Sequence, residues 1–120
     1  MESRHHWKPL LPALLWSGVI AWLSTGPGVS VPEDWRDLLA WDKLGHLTAY
    51  GIQTWLLLWG THKIGIDRPL GVVAASAIFG IAMETIQFAF FPNRYFEVLD
   101  IIANIIGSLL AFWIFRNFYH

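Results

Sequence analysis

Long apolar stretches alternate with short polar or glycine- and proline-containing segments along the chain. A helix that crosses a bilayer needs about 20 mostly apolar residues, and four of these stretches come near that length. Trp7 and Trp22 flank the first stretch, as side chains at a membrane interface often do. The pattern predicts an all-α fold, an integral membrane bundle of four transmembrane helices. The predicted spans cover residues 9–24, 42–60, 69–91 and 98–116.

The segment between the first two spans predicts a short helix that lies on the membrane surface. Residues 26–28 are Gly-Pro-Gly and end the first span. Ser30 and Glu33 have the spacing of a capping box, a pair of side chains that bond backbone N–H groups at the start of a helix. The apolar side chains that follow would share one face, which is typical of an interfacial helix. An ordinary loop with one helical turn is the alternative.

Composition supports the membrane assignment and leaves room for one domain, residues 1–120. Of the 120 residues, 55% are hydrophobic and 8 are tryptophans. The net charge of −1 gives no indication of a nucleic-acid partner. The chain has no cysteine, which excludes disulfides, thiolate metal sites and cysteine nucleophiles.

The distribution of basic residues predicts the orientation in the membrane. Cytoplasmic loops of membrane proteins carry an excess of lysine and arginine. Both termini and the connection between the second and third spans hold most of the basic residues, so we expect both termini to be cytoplasmic. That side has Arg4, Lys8, Lys63, Arg68 and Arg116, and the opposite side has Arg36, Lys43 and Arg94.

Polar and charged residues interrupt the apolar pattern of the last three spans. An ionisable group at membrane depth costs at least about 2.5–3.5 kcal/mol, so such a residue usually marks a functional site with a partner nearby. We therefore take the whole set as candidate ligand-binding residues. The second span begins with Asp42, Lys43, His46 and Tyr50, the third carries Glu84 and Gln87, the following turn has Arg94, and the fourth span carries Asp100 and Asn104.

These residues are spaced so that each helix presents them on one face. His46 and Tyr50 are four residues apart on the second span. Asp100 and Asn104 have the same spacing on the fourth, and residues four apart are neighbours on a helix. At a rise of ~1.5 Å per residue, Glu84 lies roughly 12 Å from the outer turn, Asn104 roughly 9 Å and His46 roughly 6 Å from the starts of their spans. We predict that three helices bring polar side chains together in the outer half of the membrane.

Several chemical roles are open for this predicted cluster. His46 and Glu84 could act as an acid–base pair, since burial shifts the proton affinities of both groups. Arg94, supported by Lys43, could bind a carboxylate or phosphate. The simpler role for this arginine is an ion pair with a nearby carboxylate such as Glu97. A polar seam that only holds the helices together is a further alternative.

Metal binding and proton conduction are less favoured by the pattern. Carboxylate and imidazole ligands are present, but no pair has the tight spacing of an HExxH motif. We therefore predict no metal and no cofactor. The cytoplasmic half of the last three spans has no matching ionisable residues, which argues against a complete proton path.

Small residues recur at four-residue spacing on the last two spans, which lets membrane helices approach closely. They are Ser76 and Gly80 on the third span and Ala103, Gly107 and Ala111 on the fourth. Serine catalysis is not expected, because Ser76 and Ser108 have no histidine at a suggestive position. A lone hydroxyl on a membrane helix usually bonds its own backbone.

The polar motifs, in this order, resemble the VanZ-like family. The matching residues are Asp42-Lys43-x-x-His46-x-x-x-Tyr50, Glu84-x-x-Gln87, Pro92-x-Arg94 and Asp100-x-x-x-Asn104-x-x-Gly107. One departure is the bulky interval between Arg94 and Asp100, where small polar residues are commoner. The resemblance implies a small helical integral protein of the bacterial cytoplasmic membrane. Some members are associated with resistance to teicoplanin-type glycopeptides, and the resemblance brings no defined reaction with it.

Together these patterns favour a multi-pass membrane protein with an outward-facing polar pocket for a membrane-lipid or envelope-precursor headgroup. Arg94 and Lys43 would contact the anionic part, and the other polar residues would shape the pocket. One alternative is a membrane enzyme that uses Glu84 and His46 for acid–base chemistry on such a headgroup. The other is a purely structural or assembly module. The patterns give no indication of the oligomeric state.

Overall fold

The computed structural model describes residues 7–25, 35–90 and 98–119, and these are helical throughout apart from short connections. A short 3-10 helix, Lys8–Leu10, leads into α1, Leu11–Thr25. The remaining helices are α2, Trp35–Lys63, α3, Pro69–Phe90, and α4, Val98–Tyr119. No strand occurs among the described residues. The all-α prediction is confirmed.

The connection between α2 and α3 follows from local sequence. Gly65 has a positive φ of 85°, a backbone conformation that glycine adopts without a steric penalty. Its N–H donates to the carbonyl of His62, and the N–H of Ile66 donates to the carbonyl of Thr61. These two bonds form a Schellman motif, which satisfies the last carbonyls of a helix. Pro69 then starts α3, where the missing proline N–H has no intrahelical partner to lose.

The prediction of a separate interfacial helix before the second span is wrong for the described residues. α2 runs without a break through Trp35–Lys63, a length of 29 residues, so the segment that was expected to lie on the surface is its first turns. No glycine or proline occurs between Trp35 and Asp42, and nothing in the backbone chemistry ends the helix there. The proposed capping residues Ser30 and Glu33 lie outside the described residues.

Two of the described helices are long and apolar enough to cross a membrane. They are Pro69–Phe90, with a mean hydropathy of 1.7, and Val98–Phe118, with a mean hydropathy of 2.1. α1 has 15 residues, about 22 Å of helix against a hydrocarbon thickness of about 30 Å. α2 is long, but buried polar residues such as Gln53 lower its hydropathy. A count of four spans therefore stays a prediction.

α2 is the central helix and contacts each of the other three. The indole Nε1–H of Trp16 in α1 donates to the carbonyl of Ala49 at 2.8 Å, which fixes α1 against the middle of α2. α4 approaches so closely that a Cβ on Gly107 would overlap the carbonyl of Leu47 in α2. Glycine is required at this contact because any side chain would push the two helices apart.

Side chains of α2, α3 and α4 meet in layers, and successive layers are four residues apart on α2 and α3. One layer contains His46, Glu84 and Asp100, whose polar atoms lie close together. The next has Gly80 against Tyr50 and Asn104, and the third has Thr54, Ser76 and Ser108. The last is an apolar cluster of Leu58, Val72 and Phe115. The polar layers therefore occupy one end of the bundle, and the apolar cluster closes the other.

Candidate functional site

The first layer, with Lys43, forms a group of four ionisable side chains that we call the charged layer: Lys43, His46, Glu84 and Asp100. α2 contributes the lysine and the histidine, α3 the glutamate, and α4 the aspartate. Glu84 is 2% exposed and Asp100 is 7% exposed, although both are charged residue types. Burial of carboxylates is unfavourable unless charge or hydrogen bonds compensate for it. For Asp100, two basic side chains of the layer supply that compensation.

Asp100 is held by two basic groups of α2. Its Oδ1 accepts a hydrogen bond from the Lys43 ammonium, which makes this contact a charge-assisted ion pair. Its Oδ2 lies 3.5 Å from Nε2 of His46. The Lys43 side chain is 23% exposed, so it reaches from the buried carboxylate to the surface of the bundle. α2 and α4 are therefore joined by charge at this end.

The His46 ring has different partners at its two nitrogens. Nδ1 lies 3.1 Å from Oδ1 of Asn104, within hydrogen-bond distance. Nε2 faces Oδ2 of Asp100 at 3.5 Å. The ring is thus oriented by an amide on one side and by a carboxylate on the other.

Tyr50 and Gly80 form the floor beneath the charged layer. The Tyr50 ring stacks parallel to His46, with 6.5 Å between ring centroids and 6° between planes. A Cβ on Gly80 would lie 2.8 Å from the amide nitrogen of Asn104 and 3.3 Å from a ring carbon of Tyr50. Asn104 is 1% exposed and Tyr50 is 3% exposed, so neither can move aside into solvent. The absence of a side chain at Gly80 allows the asparagine amide to reach His46.

The donor atoms of the layer suit a divalent cation by type. His46, Glu84 and Asp100 each offer one ligand atom, and these atoms lie within 4.8 Å of one another. One imidazole and two carboxylates are ordinary ligands for such ions. The Lys43 ammonium already bonds Oδ1 of Asp100 and supplies positive charge at that position. An ion would compete with it, so the contacts themselves do not require a metal.

The structure places most of the predicted site residues in one region. Lys43, His46, Tyr50, Glu84, Asp100 and Asn104 are brought together by the contacts above. Gln87 is buried on α3, one turn beyond Glu84. Asp42 belongs to α2, but its side chain is not among those that the structure describes. Arg94 lies outside the described residues. Ligand binding by these residues stays a prediction.

A second polar group, which was not predicted from the sequence, lies one layer below the floor of Tyr50 and Gly80. Its members are Ser17, Gln53, Thr54, Ser76 and Ser108, and we call this group the hydroxyl seam. In one consistent direction of donation, Thr54 donates to Ser108 at 2.8 Å and Ser108 donates to Ser76 at 3.2 Å. Ser76 donates to the Gln53 carbonyl at 2.9 Å, and the Gln53 amide donates to Ser17 at 2.8 Å. The chain of bonds joins all four helices.

The hydroxyl seam corrects one expectation. Ser76 and Ser108 were expected to bond their own backbones, but both are 0% exposed and bond side chains of other helices. A hydroxyl fully enclosed by neighbouring helices finds its partner on them. A sequence signal for this was available, because Thr54 lies four residues after Tyr50 and Ser108 four residues after Asn104. Both positions continue the stripes that carry the charged layer.

The helices and their motifs can now be compared with known proteins. The model of one family, VanZ/LLP1, matches residues 6–119, nearly the whole chain. The chain belongs to the VanZ/LLP1 family. Searches of curated proteins and of solved structures gave no match. VanZ/LLP1 membership, together with two apolar helices of spanning length, indicates a membrane protein. The family assignment made from the motifs of Asp42 to Gly107 is confirmed.

Proposed function

We propose that this VanZ/LLP1 protein is a multi-pass protein of the cytoplasmic membrane that binds an anionic lipid or envelope-precursor headgroup at the charged layer. Both termini are cytoplasmic in this proposal, by the excess of basic residues on that side. The charged layer then faces the outer leaflet. Lys43 contacts the anionic group, and His46, Glu84, Asp100 and Asn104 shape and tune the pocket. Arg94, six residues before Asp100 in the sequence, adds a second cation in this proposal.

The observation that carries the proposal is that the bundle has two separate polar groups. The hydroxyl seam already joins all four helices through uncharged side chains, and such bonds suffice to associate helices in a membrane. The charged layer adds two buried carboxylates, each of which carries an insertion cost of at least about 2.5–3.5 kcal/mol on translocon scales when it lies at membrane depth. Helix association alone gives no reason for that cost. Recognition of a charged ligand does.

The basic groups of the layer favour an anionic ligand. Lys43 reaches the surface from its bond to Asp100, so a headgroup at the edge of the bundle meets an ammonium first. Phosphate oxygens accept charge-assisted hydrogen bonds from such a group. Binding would rearrange the Lys43–Asp100 pair and would leave His46, whose Nε2 lies 3.5 Å from Oδ2, as the remaining neighbour of that carboxylate.

The test compares lipids that share chains and differ in headgroup. Purified protein in dodecyl maltoside is titrated with dioctanoyl phosphatidylglycerol, dioctanoyl phosphatidylcholine and farnesyl phosphate. We expect the two anionic ligands to bind more tightly than the zwitterionic one. Lys43→Gln should weaken anionic binding by about 10-fold or more, since a hydrogen bond to a charged group contributes about 1.5–3 kcal/mol. Lys43→Arg should restore most of it.

A matched control comes from the other polar group. Ser108→Ala removes a buried hydroxyl two layers below the charged layer and should lower stability without changing the preference for anionic headgroups. Equal binding of the three ligands, or an unchanged preference in Lys43→Gln, would contradict the proposal. A stronger preference for farnesyl phosphate over phosphatidylglycerol would identify the ligand as an isoprenoid precursor and not a bulk phospholipid.

A second candidate function is acid–base catalysis on the bound headgroup, and the His46 geometry favours it. The ring is oriented by Asn104 at Nδ1 and by the Asp100 carboxylate at Nε2, and oriented imidazole and carboxyl groups are the usual general acids and bases of enzymes. Glu84→Gln keeps the shape of the side chain and removes its titration. A binding protein should keep its affinity for anionic lipid in this variant, whereas an enzyme should lose turnover with folding intact.

A link to teicoplanin resistance belongs to the same proposal, because the family resemblance implies it for some members. The measurement is the minimal inhibitory concentration of teicoplanin in cells with and without the gene for this chain. We expect any protection to disappear in Lys43→Gln together with headgroup binding. Protection that survives this substitution would separate resistance from the charged layer.

A further inference from the structure

A shallow apolar groove runs along one exposed side of the contact between α2 and α4. Its volume is about 580 Å³, within the range of roughly 300–1,000 Å³ that is usual for ligand sites. Gly51 and Gly107 also line the groove, which lies beside the point where the backbones of α2 and α4 touch. The residues that line it include Leu47, Ile52, Trp55, Ala111, Ile114 and Phe118.

The two ends of the groove differ in chemistry. Lys43 lies four residues before Leu47 and therefore one helical turn above it on the same stripe of α2, where its ammonium belongs to the charged layer. At the other end Trp55 and Phe118 meet edge to face, with 6.0 Å between ring centroids. Gly107 and Phe118 are separated by about 16 Å along α4 at the helical rise. An apolar track thus runs from a cation to an aromatic end wall.

From this arrangement we infer that the α2–α4 groove binds one hydrocarbon chain of the same anionic lipid whose headgroup lies at the charged layer. The inference rests on the proposed function and names its ligand as an amphiphile with one anionic end. Each end of such a lipid meets matching chemistry, a charge at Lys43 and apolar side chains below it. A second copy of the chain would match only the apolar side chains of the groove, whereas such a lipid matches both these side chains and the cation at the end of the groove.

The aromatic end wall makes the groove selective for chain length. Affinity should rise by up to about 4-fold for each methylene that is fully buried in the groove, and it should level off where the chain reaches Phe118. Phe118→Ala opens this end and should move the plateau to longer chains. Phe90→Ala is the matched control, because Phe90 on α3 is 74% exposed and Phe118 is 75% exposed.

The deciding experiment uses phosphatidylglycerol with a diazirine at the end of one chain, in nanodiscs of phosphatidylcholine that contain the full chain. After irradiation, labelled residues are located by peptide mass spectrometry. We expect the label to concentrate on Ile114 and Phe118. Ile52→Trp, which fills the groove, should lower the labelling at least 10-fold. Ile78→Trp, the same change on the lipid-facing side of α3, should leave it unchanged.

Other results would overturn the inference in distinguishable ways. Labels spread equally over Ile78, Phe90 and the groove would mean bulk lipid only, and cross-linked dimers through the groove would mean a second copy. Either result would refute lipid binding in the groove. The proposed function would still stand if Lys43→Gln abolished the headgroup preference. Groove labelling that is equal for the phosphatidylglycerol probe and a phosphatidylcholine probe would refute the anionic headgroup as well. Each variant should elute from a size-exclusion column at the volume of the wild type, which excludes misfolding. Leu110→Trp fills the groove from α4 and so repeats the test of Ile52→Trp.

Discussion

Gly80→Ala is the substitution that tests most directly how the charged layer is held. The added Cβ would lie 2.8 Å from the amide nitrogen of Asn104, closer than real carbon contacts allow, and 3.3 Å from a ring carbon of Tyr50. Both neighbours are buried, so the strain is relieved only by moving the Asn104 amide away from His46 or by separating α3 from α4.

The magnitude follows from the two ways in which the strain can be relieved. Overpacking a filled core costs about 1–3 kcal/mol. Loss of the hydrogen bond between Asn104 and His46 costs about 0.5–1.5 kcal/mol. We therefore expect the free energy of unfolding to fall by about 1–3 kcal/mol, and we expect anionic-lipid binding to weaken because the His46 ring is no longer oriented.

The assay is unfolding by sodium dodecyl sulphate titration, followed by tryptophan fluorescence, with lipid binding measured on the folded variant. Gly18→Ala is the control, because nothing lies within 4 Å of a Cβ at Gly18 and alanine is the better helix former. It should be neutral or slightly stabilising. If Gly80→Ala matches Gly18→Ala in stability and in lipid binding, then the asparagine and tyrosine contacts do not organise the layer.

Three further predictions concern the bundle as a whole. Gly107→Ala should destabilise more than Gly80→Ala, because its Cβ meets the backbone of α2 and not a side chain, and sodium dodecyl sulphate unfolding measures both. Thr54→Val breaks the hydroxyl seam and should lower the unfolding free energy by about 1–3 kcal/mol. The headgroup preference should stay that of the wild type, and a changed preference would mean that the two polar groups act as one site. Cysteines at positions 3 and 93 should react with an impermeant thiol reagent from opposite sides of the membrane, and labelling of position 3 from outside would reverse the topology.

Four-residue spacing predicted the convergence of polar residues because it is a property of each helix by itself. His46 and Tyr50, or Asp100 and Asn104, share a face whatever they pack against. Which helix faces which, and at what height, is a tertiary property. Counting residues from the ends of the spans predicted similar depths for polar side chains on the three helices. In the structure Glu84 lies level with His46 and Asp100.

The errors have physical causes of the same kind. The hydroxyl seam was missed because a serine or threonine on a helix has a backbone carbonyl within reach, and only tertiary packing decides between this partner and another helix. Thr61 and Thr85 do bond their own helices, at 2.8 Å, whereas Thr54 does not. The interfacial helix was predicted from a strong start signal before Trp35, but a start signal gives no information about where a helix ends.

The apolar cluster of Leu58, Val72 and Phe115 lies at the opposite end of the bundle from the charged layer. The side chains of these three residues carry no polar atom, so an ion finds no ligand among them. We therefore predict that ions and polar ligands reach the charged layer from one end of the bundle only. In sealed vesicles, a voltage across the bilayer should then drive no current through the protein.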